Sequence, residues 1–134
     1  MASLEQSQGR ALLAYFDLDG LKQANDGLGH NVGERLIADF AGVLREAFRD
    51  GDILGRIGGD EFCALALDRD DVAPLATRLD AALATVNARA GVAFPLSASP
   101  GWAVAGAGKL DDLDHLLGIA DARMYEAKRS RRPA

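Results

Sequence analysis

At 134 residues, 49% of them apolar, the chain has the length of one domain and enough hydrophobic side chains for a proper core. A formal charge of −5 argues against a nucleic-acid binder and suits an acidic site that holds divalent cations. The single cysteine, Cys63, excludes an internal disulfide and fits a reducing cytoplasm.

The opening "MASLEQSQGR" lacks the positive start and apolar run of a secretory signal and reads as a leader or a cloning remnant. "ALLAYFDLD" (11–19) is a continuous apolar run closed by two acids, the pattern of a buried central strand. A short helix or turn is expected through "GLKQANDGLGH". Residues 31–49 then form an amphipathic helix, with Leu36, Ile37, Phe40, Val43, Leu44, Ala47 and Phe48 at helical spacing and Gly51 closing it. "DILGRI" and "DEFCALAL" flank Gly58–Gly59 as a hairpin. Residues 68–90 read as a helix with acids in its first turn and Arg89 in its last. "VAFPLSASPGWAVAG" supplies a fourth strand and part of a fifth, with Pro100 either interrupting its centre or placing it at an edge. The 19 uncharged residues from Ala90 to Gly108 include two prolines and four glycines, too weakly apolar for a membrane span. A last helix, acidic at its start and basic at its end, closes the chain.

The order β-α-α-β-β-α-β-α predicts an α+β fold: a ferredoxin-like or nucleotide-cyclase-like palm, an antiparallel-containing sheet with helices on one face. The hairpin between the helices argues against a doubly wound parallel sheet. In such a palm the first strand lies beside the hairpin, so the end of "YFDLD" and the "GGDE" turn share one edge. Asp17 and Asp19 fall on the same side under period-two alternation. With Asp60 and Glu61 added, several carboxylates converge, and like charges this close resist joint ionisation unless a cation sits among them. Mg²⁺ fits, because it takes oxygen ligands and shares them with substrate phosphates. Gly58 and Gly59 leave backbone N–H groups uncovered for phosphate oxygens.

"FDLDGLKQANDGLGHNVG", "RIGGDEF" and "ADARMYEAK" stand in this order and resemble the GGDEF domain of diguanylate cyclases, with residues 11–132 matching. The resemblance implies one domain over 1–134 that condenses two GTP into cyclic di-GMP and releases two pyrophosphates. It also implies a homodimer in which each chain presents one GTP. Asp17, the backbone carbonyl of Leu18, and Asp60 would hold Mg²⁺ (or Mn²⁺). Either Asp60 or Glu61 would take the proton of the attacking 3′-hydroxyl. Asn25 matches the position that hydrogen-bonds guanine, and His30 sits in the matching "GH". Glu34 stands where the family usually has Asp, so its carboxylate meets the guanine donors from one methylene further out. Lys128 and Arg132 match the phosphate-binding pair.

Arg49 and Asp52 in "RDGD" resemble the family's RxxD inhibitory site for cyclic di-GMP, with Arg78 joining from the next helix. The plain alternative is a helix-end ion pair. Phe16, Phe94 and Trp102 read as core, His115 as a surface or boundary residue, and Met124 and Tyr125 as packing residues. The family's usual opening segment D-x-L-T-G-L-x-N-R has no match here, and its S-I-G is "SPG" (99–101). An upstream sensor or dimerisation domain in the full protein is expected, in the cytoplasm, with neither nucleic acid nor a direct membrane span. The rival reading is a domain of little or no turnover that binds GTP or cyclic di-GMP as a regulatory module.

Overall fold

The computed structural model describes residues 10–69, 71–89, 94–105 and 113–131. The elements run β1 (Ala11–Leu18), α1 (Leu21–Leu28), α2 (His30–Ala47), β2 (Ile53–Arg56), β3 (Glu61–Leu67), α3 (Val72–Asn87), β4 (Ala98–Ala105) and α4 (Leu113–Arg131). The strands form one antiparallel sheet in the order β2-β3-β1-β4. β1, one of its two inner strands, is an almost unbroken apolar run buried along nearly its whole length, as strands covered on both faces are. β4 is an edge strand and carries Pro100. A fifth strand is not found among the described residues, and residues 106–112 lie outside them.

Strand parity divides the core. Leu12, Ala14, Phe16 and Leu18 of β1 pack with Phe62, Ala64 and Ala66 of β3 under α1, α2 and α3. Phe40 closes this layer through edge-on ring contacts with Phe16 (5.6 Å) and Phe62 (5.1 Å), and Phe16 meets Trp102 at 5.7 Å. The alternate residue Leu13 faces the other way and packs with Ala103, Ala105, Leu116 and Ala120 beneath α4. Helices therefore cover both faces of the sheet. This corrects the one-face expectation: α4 takes the odd-numbered side, where Gly101 lets its backbone lie directly on β4.

Other boundaries shift for local reasons. α2 stops at Ala47 because Phe48 turns extended (φ −100°, ψ 161°) and inserts into the core. The hairpin turn takes four residues, 57–60, so Asp60 lies on the turn and Glu61 opens β3. Asp68 and Asp71 precede α3 instead of occupying its first turn, and Arg89 lies beyond its end. Tyr125, expected to pack, is 61% exposed, whereas Met124 is buried. No helix among the described residues is long and apolar enough to cross a membrane.

Candidate functional site

The end of β1 and the glycine turn are held together by backbone. Leu18 N donates to Asp60 O (2.8 Å) and Ile57 N to Glu61 O (2.8 Å), while Asp17 pairs in register with Glu61 on one side and Ser99 on the other. Arg56 folds over the turn, its Nε donating to Gly58 O (3.0 Å) and its Nη2 to Gly59 O (2.9 Å). Nothing in the sequence flagged Arg56, although its spacing of two and three residues suits this reach. Gly58 and Gly59 are exposed, and Gly58 N–H already donates to Glu61 O at 3.4 Å.

Asp17, Asp60 and Glu61 each offer a carboxylate oxygen within 4.8 Å of the other two. Asp17 is buried; Asp60 and Glu61 are half-buried. Because Asp17 is an odd-numbered residue of β1, it projects to the α4 side, and Lys128 Nζ of α4 lies 2.9 Å from its Oδ2. Asp17 Oδ1 is buried without a hydrogen-bond partner among the described residues. Burial pushes the Asp17 carboxyl above its ordinary value; the Lys128 hydrogen bond opposes this, and the neighbouring Asp60 charge adds to it. An all-oxygen set with one orphaned oxygen has the donor chemistry of a hard cation such as Mg²⁺.

Asp19, expected to join this group, does not. Its two oxygens accept from Ser97 Oγ and Ser99 Oγ, both at 2.7 Å, which ties the end of β1 to the start of β4. These serines were missed because they lie 78 and 80 residues away in sequence.

Asn25 and Glu34 come from α1 and α2, which meet at Gly29 (φ 96°). The Asn25 side-chain amide lies where a Cβ on Gly33 would stand, so the glycine makes room for it. Glu34 is next along α2 and exposed, as is His30 at the helix start. Arg132 lies outside the described residues.

A second polar cluster forms where α2 leads into β2. Asp52 is nearly enclosed: its Oδ2 accepts from Arg49 N (2.8 Å), and the Arg49 guanidinium stands 3.7 Å from Oδ1. Arg69, which sequence reasoning did not single out, brings its Nη1 to 3.9 Å from Oδ2, and that buried nitrogen has no hydrogen-bond partner among the described residues. Burial lowers the Arg69 pKa, and the charges of Arg49 and Arg78 lower it further, opposed by those of Asp52 and Asp71. Arg49, Gly51, Asp52, Leu67 and Asp68 line a cavity of about 290 Å³.

The family model described as "Diguanylate cyclase, GGDEF domain" matches residues 1–134. The chain is 34% identical over 139 aligned positions to diguanylate cyclase TpbB of Pseudomonas aeruginosa, covering 96% of this chain and 31% of that protein. Among solved structures it resembles P. aeruginosa diguanylate cyclase SiaD, in complex with its activator SiaC (TM-score 0.79, 32% identity, 92% of this chain and 48% of that one). It also resembles the GGDEF domain of DgcB from Caulobacter crescentus, in complex with c-di-GMP (TM-score 0.76, 26% identity, 92% and 74%). The chain spans 50%, 31% and 44% of three curated relatives it matches. With its palm sheet and a family match along its full length, the chain belongs to the GGDEF domain family of diguanylate cyclases.

Proposed function

We propose that this domain condenses two GTP into cyclic di-GMP with Mg²⁺ (or Mn²⁺), as a homodimer in which each chain presents one nucleotide. The observation that carries the reading is the Asp17–Asp60–Glu61 group with Lys128 set against it. Bound there by Asp17, the Leu18 carbonyl and Asp60, the ion would neutralise α-phosphate charge and favour the alkoxide. Asp60 or Glu61 takes the 3′-hydroxyl proton; the 3′-oxygen bonds to the opposing α-phosphorus, and pyrophosphate leaves. Lys128 and Arg132 contact the phosphates, and Gly58 and Gly59 permit their close approach. Asn25, His30 and Glu34 serve the guanine end.

Arg49, Asp52 and Arg78 form a product-inhibition site, with Arg69 adding a third guanidinium beside the enclosed carboxylate. Guanidinium groups beside the enclosed Asp52 carboxylate offer donors to a phosphodiester and an acceptor to a guanine edge. The DgcB complex with c-di-GMP supports a ligand of this class. An upstream sensor or dimerisation domain, acting in the cytoplasm, brings two chains together. The test is incubation with GTP and Mg²⁺ at rising protein concentration, followed by chromatography, beside Asp60→Ala. Cyclic di-GMP should form at a rate per chain that increases with concentration, and Asp60→Ala should make none. Absence of product from the parent under forced dimerisation would leave the regulatory-module reading.

A further inference from the structure

The Lys128–Asp17 contact carries a consequence beyond phosphate binding. Lys128 is anchored on α4, and its ammonium lies 2.9 Å from Asp17 Oδ2, with the Lys128 and Asp17 side chains 24% and 8% exposed. The same carboxylate stands within 4.8 Å of those of Asp60 and Glu61, and its second oxygen is buried and unpartnered among the described residues. A divalent ion ligated by Asp17 at about 2.1 Å would come within a few ångströms of that ammonium. Two positive charges at such a distance in a half-buried site repel strongly.

We propose that Lys128 and a divalent cation are antagonists at Asp17, each weakening the other's hold on the carboxylate, and that nucleotide phosphates relieve the conflict by giving Lys128 another partner. The inference rests on the divalent-ion reading of the carboxylate group given above. It assigns Lys128 a second role as a gate: an ion arriving alone meets a competitor, whereas an ion arriving with a triphosphate does not. Metal and nucleotide thereby favour each other's binding through one side chain, by linkage. The geometry suits the exchange, because a four-carbon stem carrying a compact charge can move between neighbouring anions without moving α4.

The test is Mn²⁺ binding to the full chain without nucleotide, read by electron paramagnetic resonance titration and needing no turnover. Lys128→Met and Lys128→Gln should each bind Mn²⁺ about tenfold more tightly than the parent, a change of about 1.4 kcal/mol. Arg129→Gln removes the same charge from the adjacent exposed position of α4 and should change affinity less than about twofold, because a solvated charge is screened. Asp17→Asn should abolish saturable binding. Thermal melts identify any variant that fails to fold, and the two Lys128 substitutions back each other up. Equal or weaker binding in both Lys128 variants overturns the antagonism while the metal reading stands. Equal tightening by Arg129→Gln also overturns it, by reducing the effect to a general field. Mn²⁺ affinity untouched by Asp17→Asn removes the metal reading itself, and the proposal with it.

Discussion

Gly101→Ala is the sharpest test of how this fold places its site. A methyl at Gly101 would stand 2.9 Å from Met124 Cα, and closer still to the Ala120 carbonyl oxygen and the Met124 backbone nitrogen. All three are backbone atoms of α4, so no side chain can turn aside. Carbon contacts settle at about 3.5–4.0 Å, so the helix must back away from β4 by about 1 Å. Overpacking of this kind costs about 1–3 kcal/mol, lowering the melting temperature by roughly 3–10 °C. The functional loss should be larger. Lys128 sits one helical turn beyond Met124, so a rigid retreat of α4 carries the root of its side chain away from the acidic group, and from phosphates bound there, by a similar distance. A displacement of about 1 Å at a reacting centre costs about a hundredfold in rate. The assay pairs a thermal melt with initial rates of cyclic di-GMP formation. Gly118→Ala is the matched control: it lies on the exposed side of the same helix, and an added Cβ meets nothing within 4 Å. It should stabilise the protein by about 0.5–1 kcal/mol and leave the rate alone. If Gly101→Ala melts with the parent and turns over GTP equally fast, backbone contact does not seat α4 and the reasoning fails.

Gly33→Ala should push the Asn25 amide off α2 and raise the KM for GTP about tenfold, the worth of one hydrogen bond, with a smaller change in kcat. Asp17→Asn should abolish turnover yet not destabilise the fold at neutral pH. Its carboxyl pKa is raised in the folded state, so the stability it contributes is full below the unfolded value near 3.8 and is lost as pH rises through the higher folded value. The variant's melting temperature should therefore gain on the parent's as pH goes from about 4 to 7; a difference that shrinks over that range contradicts the assigned direction. Arg49→Ala and Arg69→Ala should each raise the cyclic di-GMP concentration for half-inhibition about tenfold or more, as charge-assisted hydrogen bonds to a phosphodiester are lost. Equal inhibition of Arg69→Ala and the parent would confine Arg69 to holding Asp52.

Element order and the carboxylate group were legible because they rest on local periodicity. "ALLAYFDLD" could be little but a central strand, and the two glycines between apolar runs marked the hairpin that brings Asp60 to it. Periodicity says which residues share a face, but not which helix covers it. Leu13 and Tyr15 were readable as a set opposed to Leu12 and Phe16; that α4 covers them depends on Gly101 admitting its backbone. Residues joined only through tertiary contact left no local mark. Ser97 and Ser99 look like loop residues until β4 pairs with β1, and Arg69 looks like one charge among "DRDD" until Asp52 is enclosed beside it.

Parity also explains why a buried carboxylate is tolerable here. Phe16 is held edge-on between Phe40 and Trp102, which fixes the peptide from which Asp17 projects. One residue along, the side chain must emerge on the opposite face, where Lys128 waits and where the turn presents Asp60 and Glu61. A one-residue slip of β1 would move every side chain to the other face and put the acid against the aromatic layer without its lysine. An unpaired charge there would cost far more than the slipped packing could offset. The aromatic core is thus the register lock for the acidic group: the packing that excludes the slipped pairing also aims the carboxylate, and Asp19, two residues on, secures the same register from the far side through its two serines.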